Sequence, residues 1–376
     1  MKGSPTYDCA LVGGGLAGLA AAAELAGKGY RTLLLEKGTY PFHRVCGEYI
    51  SLESRSFLLQ LGLPLESWEL PRIKNLALSA PGGALIRQEL SPGGLGVSRY
   101  RIDECLALRA EELGAEVLDG TKVTEIRYQN DNFVINSNKG TFTARTCCGA
   151  FGKRSNLDVK WKRPFLRQTG RNFIGVKYHV LLDRPRDTIE LHHFRGGYCG
   201  ISPIEENKFC ICYLATAPTL GSQANDIRRM EEAVLFRNPF LRAAWKQAVF
   251  LYEKPLTISG ISFGKKEQVE NHVLMLGDAA GMIAPLCGNG MSMALRSSKM
   301  AADLLSSFLE GEMPQAVLEK TYRQQWKTAF GRRLKAGRLI QHVFGMDAAA
   351  NLLVPVLKRF PLMVNRIVRQ THGRSF

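Results

Sequence analysis

Three glycines near the start of the chain have the spacing of a phosphate-binding turn. Gly13, Gly15 and Gly18 form the pattern G-x-G-x-x-G between the apolar run Tyr7–Val12 and a stretch of strong helix formers. Such a turn brings free backbone N–H groups and the positive end of a helix dipole to a pyrophosphate. Glu36 ends the next apolar run, where a carboxylate can accept both hydroxyls of a ribose. Together these residues predict dinucleotide binding.

A second glycine-rich segment lies near position 280. Residues 277–281 read G-D-A-A-G and directly follow the apolar run 272–276, and Gly288 and Gly290 precede a long helical stretch. A helix that begins at such a turn directs its positive dipole end at any negative charge beside it. Asp278 is the only carboxylate of this segment. The segment therefore predicts a second group of contacts to the same ligand.

A cysteine follows the second predicted strand in the loop 41–47, which reads P-F-H-R-V-C-G. A thiol in such a loop can donate a proton, make a soft polar contact or simply pack, and the sequence leaves these three roles of Cys46 open. Arg44 in the same loop can hold a phosphate or an anionic group of a substrate.

The order of the three motifs resembles the flavoprotein superfamily of para-hydroxybenzoate hydroxylase. Within it, the chain is most similar to the geranylgeranyl reductase and FixC-like dehydrogenase branch, over about residues 7–305. The resemblance implies FAD as cofactor and an FAD-dependent oxidoreductase as function. In this superfamily the Asp of the third motif binds the ribityl or pyrophosphate part of FAD, and Asp278 occupies that place.

The resemblance also assigns site residues. It puts Cys46 beside the isoalloxazine ring, and it matches Arg99 to an arginine that touches FAD in many relatives, with a surface arginine as the alternative. The predicted catalytic residues are Cys46 and Tyr198. The predicted cofactor-binding residues are Gly13, Gly15, Leu16, Ala17, Gly18, Glu36, Lys37, Arg44, Cys46, Gly47, Arg99, Val123, Gly277, Asp278, Pro285, Gly288, Asn289, Gly290 and Met291.

Two departures from the family pattern bear on the reaction. Hydroxylases carry an Asp-Gly pair near position 149 that takes part in FAD and NAD(P)H binding, whereas this chain has Phe151 there. Isoprenoid reductases carry Y-x-W-x-F-P, and residues 198–203 read Y-C-G-I-S-P, so Gly200 and Ser202 replace the Trp and the Phe. The Trp-rich motif of flavin halogenases is missing, so halogenation is not expected.

The favoured function is a reductase or dehydrogenase that transfers hydride through FAD to or from a hydrophobic substrate, such as an isoprenoid or acyl chain. The alternative is a flavin monooxygenase that hydroxylates or epoxidises a lipidic or aromatic compound through a C4a-hydroperoxide. A flavin-binding or carrier-docking protein without catalysis is a third hypothesis. NAD(P)H or a ferredoxin-type protein is the candidate electron donor, and the sequence leaves the choice between them open.

Apolar periodicity predicts the elements that position these residues. Helices are expected over 99–113, 226–236, 241–249, 290–309 and 315–344. Strands are expected over 7–12, 31–36, 118–127, 133–136, 141–148, 173–182, 188–194, 198–203, 208–214 and 272–276.

The nucleotide-binding pieces are therefore split along an α/β chain, α+β overall. We expect a Rossmann-like FAD-binding domain that carries an inserted, mainly antiparallel β-sheet substrate domain and C-terminal helices. The FAD-binding domain is predicted over 1–75, 96–160 and 256–312, the substrate domain over 76–95 and 161–255, and a basic helical segment over 313–376.

Charge and cysteine usage limit the partners. The chain has 376 residues and a net charge of +16, of which +10 lies in residues 315–376, where twelve Lys/Arg face two acidic residues. Such a segment predicts peripheral binding to an anionic membrane or docking to an acidic carrier protein; no nucleic acid is expected. The longest apolar runs are far short of the roughly 20 residues of a membrane-spanning helix.

Nine scattered cysteines fit a reducing compartment, so the expected location is cytoplasmic, with the inner face of the membrane as an added site. No metal site is expected, because no Cys/His group has ligand spacing. His192 and His193 are expected on opposite faces of a strand, and the pairs Cys147–Cys148 and Cys210–Cys212 are expected to be core residues.

Overall fold

The computed structural model divides the strands between two sheets. It describes residues 7–167, 172–284, 288–344, 347–371 and 373–376. The strands are β1 (Tyr7–Val12), β2 (Thr32–Leu35), β3 (Tyr49–Ser51), β4 (Arg72–Ser79), β5 (Leu85–Gly96), β6 (Glu116–Leu118), β7 (Val123–Gln129), β8 (Asn132–Ser137), β9 (Gly140–Gly149), β10 (Phe173–Leu181), β11 (Thr188–Phe194), β12 (Gly197–Pro203), β13 (Lys208–Thr216), β14 (Val249–Phe250), β15 (Leu256–Ile261), β16 (Val269–Glu270) and β17 (Val273–Met275). The α-helices are α1 (Leu16–Gly27), α2 (Arg55–Gln60), α3 (Arg99–Glu112), α4 (Asn156–Lys160), α5 (Ala217–Gly221), α6 (Ile227–Ala233), α7 (Pro239–Gln247), α8 (Gly290–Leu309), α9 (Gln315–Phe344), α10 (Asp347–Lys358) and α11 (Pro361–Thr371).

The first sheet carries the glycine turn. Its order is β16-β17-β9-β1-β2-β6, with β8 beside β9 and β7 beside β8. The five strands from β17 to β6 run parallel, so their carboxyl ends meet at one edge. Ligands of open α/β sheets bind at this edge. The turn after β1, Glu36 after β2, the segment after β9 and the G-D-A-A-G segment after β17 all lie there.

Helix α1 begins at this edge and is apolar almost all round. Such a helix must be covered on every side. The first sheet, α3 and α8 cover it, and every residue from Leu16 to Ala26 is buried. The buried N-terminus of α1 is thereby held against the end of β1.

The second sheet has the order β14-β10-β13-β12-β11-β4-β5-β3, with β15 beside β10. Apart from the parallel pair β11–β4, its neighbouring strands are antiparallel. On β10 to β13, one face packs on α6 and α7 through a cluster that includes Tyr213, Met230 and Leu241. The opposite face is therefore the one that can contribute to a site.

The Rossmann-like domain, the mainly antiparallel sheet and the C-terminal helices confirm the predicted fold class. The strands predicted over 173–182, 188–194, 198–203 and 208–214 correspond to β10, β11, β12 and β13. The single strand predicted over 118–127 is wrong. β6 ends at Leu118 and β7 begins at Val123, because a turn with Gly120 at φ +58° separates them.

Strand pairing adds detail to the predicted domain ranges. β3 and β15 lie in ranges expected for the FAD-binding domain, and they pair in the second sheet. β4 also begins at Arg72, before the expected start of the substrate domain at 76. The chain thus crosses between the two sheets more often than the predicted ranges assume.

The C-terminal helices pack on both sheets. Tyr322 of α9 donates a hydrogen bond to the backbone O of Met275 at 2.6 Å, at the end of β17. Arg333 pairs with the buried Glu53 at 3.2 Å. Val354 of α10 packs in a cluster with Ile86 of β5. None of the helices described is long and apolar enough to cross a membrane.

The close approach of α1 to β1 leads to a stability prediction. A Cβ on Gly18 would lie 1.9 Å from the backbone O of Gly13, whereas a Cβ on Gly15 would meet only the Arg99 guanidinium at 3.5 Å. Gly18→Ala should therefore lower the free energy of unfolding of the FAD-free protein by about 1–3 kcal/mol, as overpacking does. Gly15→Ala is the matched control and should leave it nearly unchanged in urea unfolding. Equal stabilities of the two variants would contradict this packing.

Candidate active site

The glycine turn after β1 is shaped by close backbone contacts. Gly13 has φ +110°, and a Cβ there would lie 2.5 Å from the backbone O of Ala150, so only glycine fits. Gly14 is equally restricted, because a Cβ would lie 1.9 Å from the hydroxyl of Tyr40. Leu16 and Ala17 are buried in the first turn of α1. Protein atoms therefore crowd the turn at Gly13 and Gly14, and a ligand could approach its backbone most closely at Gly15.

Glu36 lies beside this turn and is almost fully buried. Its carboxylate accepts hydrogen bonds from the backbone N–H of Gly14 at 2.7 Å and of Gly38 at 2.8 Å. Arg44 also donates to it at 3.2 Å. A ribose diol would compete with Arg44 for the same carboxylate oxygen. Lys37, the next residue, is exposed.

Two arginines converge on one buried carboxylate in front of the turn. Arg44 donates to Asp103 at 2.9 Å, and Arg99 donates to it at 2.8 and 2.7 Å. Asp103 is 1% exposed, so water does not screen its charge, and its carboxylate holds both guanidinium groups in place. The predicted cofactor residues Arg44 and Arg99 are thus brought together beside Gly15, and the surface alternative for Arg99 is wrong.

The third motif meets the first at this point. Gly277 has φ +55°, and a Cβ there would lie 3.1 Å from the Cβ of Ala17. The half-buried Asp278 has its pKa raised by burial, an effect that the charges of Lys266, Lys153 and Arg99 oppose.

Helix α8 begins directly after the loop that follows this motif. Asn289 is the residue before the helix and Met291 lies in its first turn, and both are buried. Gly288 has φ +67°. Pro285 lies outside the described residues. Val123 is the first residue of β7, and its backbone O accepts a hydrogen bond from Asn156 at 3.0 Å.

The residues around these motifs fit a bound dinucleotide. A Cβ added at Gly47 or Gly290 would meet nothing within 4 Å, and one added at Gly15 would meet only Arg99. The hydroxyl of Ser292, in the first turn of α8, is buried and has no hydrogen-bond partner among the described residues. Open glycines, two arginines and a helix N-terminus are the groups that hold an anionic phosphate ligand.

The loop with Cys46 is clamped onto the second sheet. The thiol of Cys210 in β13 donates to the backbone O of Cys46 at 3.2 Å. Lys177 in β10 donates to the backbone O of Arg44 at 3.1 Å. A Cβ on Gly175, also in β10, would lie 3.0 Å from Val45. The clamp places the predicted catalytic residue Cys46 between the glycine turn and the second sheet.

Glu48 connects this loop to the sheet most strongly. It follows Gly47 directly, is fully buried and has a left-handed φ of +56°. Its carboxylate pairs with Lys177 at 2.5 Å and His179 at 2.6 Å. It also accepts the backbone N–H of Arg99 at 2.8 Å. Burial alone would raise the pKa of Glu48, but Lys177 and His179 lower it to about 2.

Glu48, His179 and Cys210 offer a carboxylate, an imidazole and a thiol within 4.8 Å of one another. The prediction from sequence found no group of metal ligands, because the three come from distant positions. The ammonium of Lys177 already faces the carboxylate. Although burial lowers the pKa of Lys177, Glu48 raises it, so the ammonium stays charged. The ion pair satisfies Glu48 with a protein cation in place of a metal ion.

Cross-strand pairing identifies the face that lies under Cys46. Lys177 pairs with Cys212, Cys212 with Gly200, and Gly200 with Leu191. Directly opposite residues share one face of an antiparallel sheet. This set, which we call the inner face, also includes Tyr198. Tyr198 is buried in a cluster with Met282, four residues after Asp278. The predicted catalytic residues Cys46 and Tyr198 therefore border the same face.

The two adjacent histidines have opposite environments, as predicted. The ring of His192 stacks on the ring of Phe240 in α7, with 5.5 Å between the two centroids. Its Nδ1 forms a hydrogen bond of 2.8 Å with the hydroxyl of Ser79. His193 lies on the inner face opposite Tyr198, and burial lowers its pKa to about 3. Cys147 and Cys148 are core residues as expected. Cys210 and Cys212 are also buried or nearly so, but they belong to the inner face.

Phe151 replaces the Asp of the hydroxylases and packs into the first sheet. Its ring packs edge-on against Trp161, with 6.2 Å between the ring centroids, and a Cβ on Gly149 would lie 2.6 Å from the Phe151 ring. Two residues later, Lys153 is half-buried. Burial lowers its pKa to about 8, with Asp278 acting in the opposite direction. The segment thus contributes a lysine to the site.

Sequence reasoning missed several residues of this site. Glu48 carried a signal, because it follows the cysteine motif directly. Gly14 carried one too, as the middle of three glycines. Lys266 carried none: it is buried, donates to the backbone O of Asp278 at 2.7 Å, and reaches the site from a loop without a motif.

Comparison with known families agrees with this geometry. The family described as "FAD binding domain" matches residues 6–334. The chain belongs to this family. FAD is accordingly its cofactor, and the protein is an FAD-dependent oxidoreductase.

Relatives are found among curated proteins of several organisms. Conditioned medium factor receptor 1 of Dictyostelium discoideum is 25% identical over 96% of this chain and 72% of its own length. Digeranylgeranylglycerophospholipid reductase 2 of Methanopyrus kandleri is 25% identical over 94% of this chain and 91% of its own. Menaquinone reductase of Mycobacterium tuberculosis is 27% identical over 82% and 78%. The two reductases confirm the branch that the motifs indicated.

Solved structures share the fold. A geranylgeranyl bacteriochlorophyll reductase-like protein from Thermoplasma acidophilum has a TM-score of 0.80 and 19% identity, and the match covers 100% of this chain and 97% of that one. The flavin-dependent brominase Bmp2 also has a TM-score of 0.80, with 17% identity over 98% and 94%. Because reductases and halogenases share this fold, it does not choose the reaction.

The buried pair at Glu48 leads to a second prediction. Glu48→Gln leaves Lys177 without a counter-charge, so it should lower the free energy of unfolding at pH 7 by about 3–5 kcal/mol. The double variant Glu48→Gln/Lys177→Met should recover part of this loss in urea unfolding.

The same pair sets a pH dependence. A carboxyl with a depressed pKa stabilises the fold above its unfolded value and loses this effect as the pH falls through its folded value. The difference between wild type and Glu48→Gln should therefore shrink between pH 4.5 and about 2. A difference that stays constant over this range would contradict the pairing.

Proposed function

We propose that the protein is a reductase or dehydrogenase whose hydrophobic substrate, of isoprenoid or acyl type, binds on the inner face of the second sheet beside Cys46. The observation that carries this proposal is the position of Cys46, clamped over a sheet face that is apolar at one end and charged at the other. The names of the two reductase relatives support it, since both describe lipids or quinones with isoprenoid chains as substrates.

The middle of the inner face has small side chains. Gly200 lies there between Cys212 and Leu191, where isoprenoid reductases have a Trp. A Cβ on Gly200 would lie 3.6 Å from the side chain of Leu191 and 3.7 Å from the backbone O of Cys212, which is ordinary van der Waals contact, so the glycine leaves open only the space that a Trp side chain would fill. This room fits a substrate at least as bulky as those of the family.

The apolar end of the face suits a hydrocarbon chain. Tyr198, Leu214 and Met282 form one cluster, and Leu191 and Ile340 of α9 pack against it. The transfer of an apolar chain from water to such a surface is favourable by roughly 25 cal/mol for each Å² buried. The charged end, with Lys177 and Glu48, lies under the Cys46 loop and suits a polar head or the reacting group.

Reduction of a C=C bond adds a hydride to one carbon and a proton to the other. FAD, when bound and reduced, supplies the hydride. The residues that would hold it are the turn around Gly15, Arg44, Arg99, Asp278 and the N-terminus of α8. The substrate domain supplies the apolar surface that orients the bond and excludes water.

Cys46 is suited to hold the proton at its Sγ. Burial raises the pKa of this thiol, an effect that Arg99 opposes, so the thiol is protonated at neutral pH. The backbone N–H of Glu48 donates to Sγ at 3.5 Å, and Arg99 interacts with the same sulfur. These two donors would stabilise the thiolate that remains after the proton has moved to the substrate carbon.

Filling the open space should narrow the range of substrates. Gly200→Trp is expected to raise KM for a long polyprenyl substrate about ten-fold or more, because a side chain would occupy surface that the substrate buries. FAD content and thermal stability should stay near those of wild type. Gly221→Trp, at the exposed end of α5, is the matched control. An unchanged KM for long substrates would place the substrate elsewhere.

Removing the thiol should slow the chemical step. Cys46→Ala is expected to lower kcat for C=C reduction by about 10²-fold or more, the usual effect of losing a positioned proton donor. Cys105→Ala, on α3, should keep full activity. Saturating reduction by dithionite and single-turnover mixing with a polyprenyl substrate would measure the step. Full turnover of Cys46→Ala would remove the thiol from the mechanism.

A further inference from the structure

Helix α10 is apolar on nearly all sides, with the sequence D-A-A-A-N-L-L-V-P-V-L-K. A helix of this kind is normally buried all round. One side of α10 is: Val354 and Leu357 pack in a cluster with Ala80 and with Ile86 of β5, and Ala350 is also buried.

The opposite side of α10 faces outward. Leu352 is 69% exposed and Val356 is 44% exposed, with Pro355 also exposed between them. These positions follow the i, i+3, i+4 spacing of a single helix face. Phe360 and Met363 continue the apolar residues into α11, at 52% and 53% exposure. Single exposed apolar residues are common, but a row of this length marks a contact surface.

We call this row of exposed apolar residues the outer stripe; it consists of Leu352, Pro355, Val356, Phe360 and Met363. Exposed cations lie beside it. Lys358 is the last residue of α10, Arg359 follows it directly, and Arg366 is exposed on α11. On α9, which contacts both helices, Arg338 and the 64%-exposed Leu339 repeat the combination of cation and apolar side chain. Within residues 315–376 the only acidic residues of the sequence are Glu319 and Asp347.

We propose that the outer stripe is a docking surface for an anionic lipid bilayer. Apolar side chains flanked by Lys and Arg on a helix that lies flat are the pattern by which a segment enters the headgroup region. A second copy of the chain is less well matched, because it would bring two strongly basic segments together. The proposal does not depend on the reaction proposed above.

The sequence alone does not distinguish the buried apolar residues of this segment from the exposed ones. Val354 and Leu357 serve the fold, whereas Leu352 and Phe360 are available to a partner. Val368 of α11 packs against a cluster with Tyr49 and Ile189 of the second sheet, to which Leu191 of the inner face also belongs. The outer stripe and the proposed substrate face are therefore connected by apolar packing through α11.

The test uses the full-length, FAD-loaded protein and vesicles of equal parts phosphatidylglycerol and phosphatidylcholine. Wild type should co-sediment with them and not with phosphatidylcholine alone. Leu352→Ser/Phe360→Ser should bind the anionic vesicles about ten-fold or more weaker, because two inserted side chains are lost. Lys358→Gln/Arg359→Gln should also bind more weakly and show a smaller response to salt.

The matched control is Leu108→Ser/Val249→Ser, which removes two exposed apolar side chains on other elements and should bind like wild type. Flavin absorbance and thermal unfolding verify that each variant is folded. Unchanged vesicle binding of Leu352→Ser/Phe360→Ser would overturn the proposal. So would a wild type that ignores vesicles and self-associates in sedimentation velocity, with the variant monomeric, since this result would assign the stripe to a second copy.

Discussion

One buried carboxylate joins the two halves of this molecule. Glu48 lies at the end of the Cys46 loop, which leaves the first sheet after β2, and its carboxylate forms an ion pair with Lys177 and contacts His179 Nε2 at 2.6 Å, both in the second sheet. Glu48 also accepts a hydrogen bond from the backbone N–H of Arg99. Arg99 is the first residue of α3, and its side chain lies beside the glycine turn. An unpaired charge at this depth would be very costly, and the pairing therefore fixes the distance between the sheets.

The site that results has a gradient of polarity. Guanidinium groups, lysines and a helix N-terminus surround the glycine turn, which suits the phosphates of FAD. The inner face of the second sheet becomes apolar toward Tyr198 and Met282, which suits a hydrocarbon chain. Cys46 lies between the two regions. A single loop thus positions the thiol at the boundary where cofactor and substrate would meet.

The sequence predicted those parts of the structure that depend on local spacing. The glycine turn, Glu36 and the G-D-A-A-G segment were found because each is a short motif attached to a strand or helix. The hairpin of β4 and β5 was missed, because Pro92 and three glycines of β5 (Gly93, Gly94 and Gly96), with Gly82 and Gly83 in the preceding turn, hide its alternation. β15 was missed because it is short and mostly exposed along its length.

Long-range pairing was beyond the reach of the sequence. Glu48 is separated from Lys177 and His179 by about 130 residues and shares no motif with them, so only the register of β10 under the loop brings them together. The same holds for the two faces of α10. Periodicity predicts an apolar helix there, but it does not show which side of the helix packs against the sheet. The sequence showed that Gly200 replaces an aromatic residue, but not that Gly200 lies on the inner face between Cys212 and Leu191.

The central claim is that the protein reduces a carbon–carbon double bond of a hydrophobic substrate on the inner face of the second sheet. The most direct measurement is anaerobic mixing of dithionite-reduced, FAD-loaded protein with a polyprenyl substrate, followed at the flavin absorbance band and by mass spectrometry of the product. The account predicts that the flavin reoxidises without oxygen and that the product gains a pair of hydrogen atoms. Reoxidation only when oxygen is admitted, with an oxygen atom in the product, would contradict it.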